Sequence, residues 1–167
     1  MSHRIVALCL AFTLVLVGCN PKKPVEPVAV DFVCDFKAQY NDLTATGTLT
    51  RRTAGTLVLE FSEPETLNGL LAEWNGEKVT LKYLGLSYDV DPATLPESAL
   101  GEGLIKAFDA MLRSEGERSE NDGKITVSGL SGTAQYTYVY DAQSGAPLSL
   151  TIPSIPLTVT FLNVQLS

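Results

Sequence analysis

The chain is 167 residues long and carries 12 basic against 19 acidic side chains, a net charge of −7. That length holds one ordinary domain with room for a tether. The acidic balance argues against nucleic acid, where contacts to phosphate dominate affinity. It gives no electrostatic pull toward anionic lipid heads, and its plainest role is solubility.

The first element is an uncharged run from Ile5 to Val17, preceded by Arg4 and the amino terminus. Its 13 residues fall short of the roughly 20 that a spanning helix needs, and no later stretch is apolar enough to span. A positive flank, an apolar run and a small-residue end come in secretory order, the pattern of a signal peptide rather than of a buried helix. Leu16-Val17-Gly18-Cys19, directly after the run, resembles the lipobox of bacterial lipoproteins. The resemblance implies cleavage between Gly18 and Cys19 and a diacylglyceryl thioether on Cys19. Stable anchoring takes two acyl chains, each buried CH₂ contributing about 0.8 kcal/mol. The expected protein is anchored to the extracytoplasmic face of a cell membrane through Cys19. Residues 1–18 are then the signal peptide, 19–30 the lipidated cysteine and tether, and 31–167 the folded domain.

That cut has chemical consequences. Without Arg4 the charge becomes 11 − 19 = −8. His3 is the single histidine, and its loss removes Ser-His-Asp, Cys-His and histidine–metal chemistry. Cys9 leaves with the peptide and Cys19 holds the lipid. Cys34 then stands alone, no internal disulfide forms, and it reads as a small buried hydrophobe.

Prolines at 21, 24 and 27 suit a polyproline II spacer. From Asp31 the pattern has period two. Phe32, Cys34, Phe36, Ala38 and Tyr40 form one row of a half-buried strand. Leu43, Ala45, Gly47 and Leu49 give a second strand, and Leu57, Leu59 and Phe61 a third, ended by Pro64. Leu70 to Trp74 forms a fourth, and Asn75-Gly76 is a strong hairpin signal. Val79, Leu81 and Tyr83 make a fifth. Leu86, Tyr88 and Val90 either continue it or open a new strand after Gly85.

The period then changes. Leu100, Leu104, Phe108, Met111 and Leu112 recur at three and four, an amphipathic helix within Glu97 to Arg113. Gly101 and Gly103 each weaken its first turns by roughly 1 kcal/mol relative to alanine. Ser114 to Gly123 is charged and reads as a loop. Strands return at Ile125 and Val127, at Ala134 to Tyr140, at Leu148 to Ile152 and from Ile155 to Phe161, with Val164 and Leu166 beyond a bulge. The sum is eight to ten antiparallel strands and one helix. The fold class is α+β: a curved antiparallel half-barrel sheet with a helix packed on its concave face.

One stretch carries a second resemblance. Gly47-Thr48-Leu49-Thr50-Arg51 forms a G-x-L-x-R strand, Leu57 to Phe61 a strand ending at Pro64, and Asn75-Gly76 a hairpin turn. The order resembles the lipoprotein-carrier superfamily, the LolA/LolB-like fold. The resemblance implies an unclosed half-barrel lidded by helices over an apolar cavity, and binding of acylated lipoproteins or lipids. Other members are lipoproteins of spore-forming bacteria, one of which acts in germination through a protein partner.

The leading expectation is thus an anchored lipoprotein that binds an acyl or lipid-like ligand, with Phe36, Tyr40, Leu59, Phe61, Trp74, Tyr83, Phe108 and Tyr138 lining the cavity. The competing reading makes these residues ordinary core. The alternative function is a non-catalytic docking or activating partner for another envelope protein, through the Tyr136, Tyr138 and Tyr140 row. Catalysis is not expected. Glu63/Glu65 and Asp89/Asp91 read as solvated turns, no phosphate loop or metal spacing appears, and no cofactor is called for.

Overall fold

The computed structural model describes residues 27–167 except 53–54, 95–99, 114–115 and 132. The expected signal peptide, the cleavage point at Gly18 and Cys19, and most of the tether lie outside the described residues. None of the described helices is long and apolar enough to cross a membrane.

The chain order is β1 (Phe32–Tyr40), β2 (Leu43–Arg51), β3 (Thr56–Glu63), β4 (Leu71–Asn75), β5 (Val79–Tyr83), β6 (Leu86–Val90), α1 (Leu100–Leu112), β7 (Glu117–Asn121), β8 (Lys124–Ser131), β9 (Ala134–Asp141), β10 (Pro147–Ile152) and β11 (Leu157–Leu166). All strands join one unclosed sheet in the order β6-β5-β4-β3-β2-β1-β11-β10-β9-β8-β7. Each half is an antiparallel meander. The two meet where β1 pairs with β11, Phe36 opposite Phe161, and α1 lies in the connection between the edges β6 and β7. Eleven strands replace the expected eight to ten. The segment read as a charged loop holds β7, paired residue for residue with β8 from Glu117↔Ser128 to Asn121↔Lys124.

Strand alternation builds the core. Phe32, Cys34, Phe36 and Ala38 of β1 are buried, and so are Leu57, Leu59 and Phe61 of β3 and Leu157, Val159 and Phe161 of β11. The period-two rows thus all turn to one face. The bulge expected near Val164 is present: the β1–β11 register slips between Val33 and Asp35, and Asn163 takes φ +52 to absorb the extra residue.

Helix α1 covers that face with Leu104, Ala107, Phe108 and Met111, all buried. Phe108 packs edge-on to Phe32 (5.9 Å) and to Tyr138 (5.8 Å), which places the helix over the centre of the sheet. The helix also reaches Trp74 of β4 on one side and β8 on the other. Thirteen residues make a helix only about 20 Å long, whereas eight flat strands from β4 to β8 would span roughly 34 Å. One short helix meets both because the sheet curves around it.

Candidate functional site

Beside α1 a groove of about 430 Å³ opens to solvent. Gly103, Ile105, Lys106 and Asp109 of α1, with Arg113 just after it, supply one wall. Thr133 comes from the turn before β9, Ala134 and Tyr136 from its start, and Ile152, Ser154 and Ile155 from the end of β10 and the turn after it. Each wall has a local cause. Gly103 lets the helix approach closely, since an added Cβ would lie 2.9 Å from the Ile155 side chain. Ile155 is held by its N–H donating to the Ile152 carbonyl at 3.2 Å. Ile105, Ala134 and Ile155 are partly buried hydrophobic residues packed against the core, so the groove has an apolar floor. Its lining also includes the side chains of Lys106, Asp109 and Arg113 and the hydroxyls of Thr133 and Ser154.

Asp109 is not a free anion in this groove. Arg51, only 1% exposed, donates from Nη2 to Asp109 Oδ1 at 2.7 Å, and the Gly55 N–H donates to the same oxygen at 3.2 Å. The guanidinium also lies 4.7 Å over the Phe108 ring, a cation–π contact. Arg51 thus crosses from β2 to the helix and offsets the Asp109 charge. Arg51 Nη1 and Tyr138 Oη are buried without a hydrogen-bond partner among the described residues. Burial, above all, pushes the Tyr138 hydroxyl well above its usual range, so it stays protonated.

The structure brings six of the eight expected cavity residues together, in the core. Phe36, Leu59, Phe61, Trp74, Phe108 and Tyr138 are all buried and pack against one another, Phe36 on Phe61 at 5.6 Å and Phe108 on Tyr138 at 5.8 Å. Tyr40 is partly buried at the rim of that core, and Tyr83 is exposed on the far wing. None of the eight lines the groove. Tyr136, Tyr138 and Tyr140 are at most 1% exposed. They therefore cannot form the docking face expected of them, because their strand turns this row toward the helix.

Sequence reasoning passed over Arg51 as a core residue. Its parity gave the signal, since it continues the inward row of Ala45 and Leu49. Cys34 is free and buried, and burial, with Asp35 adding to it, pushes the thiol up to about 12. It is an inert core group. No metal-holding group of His, Cys, Asp and Glu occurs among the described residues.

No protein-family model matches the chain, and no curated protein matches it in sequence. Among solved structures it is similar to an uncharacterized conserved protein from Thermus thermophilus, at 9% identity over 83% of this chain and 80% of that one, with a TM-score of 0.53. It is also similar to LprF from Mycobacterium bovis, at 14% identity over 80% and 85% with a TM-score of 0.42. A third is a LolA superfamily protein from Nitrosomonas europaea, at 9% identity over 84% and 86% with a TM-score of 0.41. The likeness to the Thermus protein is one of backbone fold.

Proposed function

We propose that this chain is a membrane-anchored, extracytoplasmic lipoprotein that binds one apolar, acyl-like ligand in the groove beside α1. The observation that carries the reading is the groove itself. Its 430 Å³ falls in the range of about 300–1,000 Å³ typical of small-molecule sites. Its lining sets the branched aliphatic side chains of Ile105, Ile152 and Ile155 beside the polar ones of Lys106, Asp109, Arg113, Thr133 and Ser154. That combination suits an amphiphile, a hydrocarbon body lying on Ile105 and Ile155 with a polar head among Lys106, Arg113, Thr133 and Ser154. The core beneath is filled by aromatic side chains, so the ligand site is this lateral groove rather than a hollow under the helix.

Native mass spectrometry of the full chain, extracted from a bacterial host in mild detergent, tests the reading. The expected spectrum contains the polypeptide plus one non-covalent fatty acid or phospholipid. Ala134→Trp, which fills the groove from β9, is expected to remove that mass. Under denaturing conditions a covalent diacylglyceryl mass on Cys19 is expected to remain, and Cys19→Ala to remove it. A bare polypeptide in the native spectrum of the unmutated chain would overturn the ligand reading. A chain released from membranes without detergent would overturn the anchor.

A further inference from the structure

The two open edges of the sheet differ in kind. On β7 every residue of Glu-Arg-Ser-Glu-Asn is exposed and polar, the charged edge that resists pairing. On β6 the sequence is Leu-Ser-Tyr-Asp-Val, and its one charge, Asp89, is paired to Lys78 of its own chain. Tyr88 is 69% exposed, Leu86 77% and the adjoining turn residue Leu84 84%. The register aligns Leu86 with Tyr83 and Tyr88 with Leu81, so these side chains share one apolar face of the β5–β6 hairpin. Its other face is charged and satisfied, with Lys82 paired to Glu73 and Lys78 to Asp89. Among the described residues β6 pairs with β5 alone.

The hydrogen-bond phase of this edge follows from its turn. Leu84 (φ +50) and Gly85 (φ +80) form a two-residue loop, whose closing pair, Tyr83–Leu86, is hydrogen-bonded. Alternation along an antiparallel ladder makes Leu81–Tyr88 and Val79–Val90 hydrogen-bonded too. The backbone N–H and C=O groups of Ser87 and Asp89 therefore point outward. Self-pairing of β6 about a two-fold axis through Tyr88 sets Ser87 opposite the Asp89 of a second copy, and Asp89 opposite its Ser87. Every outward group then meets a partner, a hydroxyl faces each carboxylate, and no like charges are opposed. Centring the axis on Asp89 would oppose two carboxylates. Centring it on Ser87 would leave Asp89 opposite the turn residue Gly85. The apolar faces of the two copies run on across the join, with Tyr88 beside its counterpart as a cross-strand aromatic pair.

We infer that β6 is a self-association edge, pairing antiparallel with β6 of a second copy of this chain, with Tyr88 facing Tyr88 on the axis. The inference stands apart from the groove reading, since no β6 residue lines the groove.

Tyr88 sits at a non-hydrogen-bonded pair across the axis, where Cα atoms lie about 4.5 Å apart, within disulfide reach. Full-length Tyr88→Cys in membranes is expected to give a covalent dimer of this chain on a non-reducing gel. Asn121→Cys on β7 should give no more than the unmutated chain does. Ser87→Pro removes an outward N–H and leaves the β5 ladder intact. It is expected to reduce the Tyr88→Cys dimer at least tenfold, and alone to convert the detergent-extracted chain from dimer to monomer in sedimentation, with an unchanged far-ultraviolet spectrum. Overturning results are a Tyr88→Cys chain no more cross-linked than Asn121→Cys, a cross-linked product with another protein's mass, or an unmutated chain that sediments as a monomer. Association with phosphatidylglycerol vesicles that Tyr88→Ser abolishes would assign the patch to a lipid surface and likewise overturn the pairing.

Discussion

At the scale of single residues the contact most sensitive to loss of one partner is Arg51 with Asp109. A guanidinium 1% exposed holds its charge in the core only because a carboxylate and a ring face lie against it. Removing one partner leaves the other uncompensated, which typically costs about 3–5 kcal/mol, whereas replacing both by apolar groups of similar volume is often neutral. Asp109→Ala is expected to lower unfolding stability in urea by about 3 kcal/mol, toward the lower end because Asp109 is 22% exposed. The Arg51→Met/Asp109→Leu pair is expected to recover most of the loss. Equal losses in the single and double variants would show that the bridge itself, rather than an abandoned charge, carries the stability.

Cys34 gives a prediction in pH. Its folded thiol is raised from the usual 9.0 to about 12, so folding favours the protonated form. The stability that follows is complete below about pH 9 and drains away as pH rises from 9 toward 12. Tyr138, also raised by burial, acts with the same sign. The urea midpoint is expected to fall between pH 8.5 and 10.5, and less steeply in Cys34→Ala. A midpoint flat across that interval would contradict the burial of both groups.

At the scale of elements, legibility followed solvation. Strands with one wet and one dry face, such as β1 with its row from Phe32 to Ala38, announced themselves by alternation. The five residues of β7 are all exposed, so both of its faces carry the same polar signal and its sequence cannot be told from a loop. The groove was illegible for another reason. It is made where a helix flank, a strand start and a turn converge, and that convergence depends on curvature that local periodicity does not encode. Large aromatics, expected at the site, instead filled the core.

The glycines of α1 belong at this scale too. Read locally they only weaken the helix, but Gly101 is where α1 meets Trp74, and an added Cβ would lie 2.1 Å from the indole ring. Gly101→Ala gains roughly 1 kcal/mol of helix propensity and must displace the indole, an overpacking that typically costs about 1–3 kcal/mol. The expected outcome is net destabilisation with a changed tryptophan emission, readable because Trp74 is the single tryptophan. A stabilised variant with unchanged emission would mean that the helix start stands off the sheet.

At the scale of the whole molecule the order of strands decides where stability resides. The first and last strands, β1 and β11, pair at the centre of the sheet, so the middle of the structure closes only when the ends of the domain meet. Such non-local pairing makes folding slow and concentrates protection where both neighbours and the helix contribute. Each strand toward β6 or β7 has less above it, and the edge strands have one partner each. Native-state exchange of backbone amides should therefore be slowest in β1, β2 and β11, around Phe36, Leu49 and Val159, and faster by orders of magnitude in β6 and β7 at low protein concentration. If the halves were independent units, protection would instead peak within each meander, near β3 and β9, and drop at the β1–β11 seam. A seam that exchanges through global unfolding identifies one cooperative sheet. Any ligand held beside α1 then reports on the stability of both halves, because the groove walls and the seam share Phe108 and its neighbours as a common core.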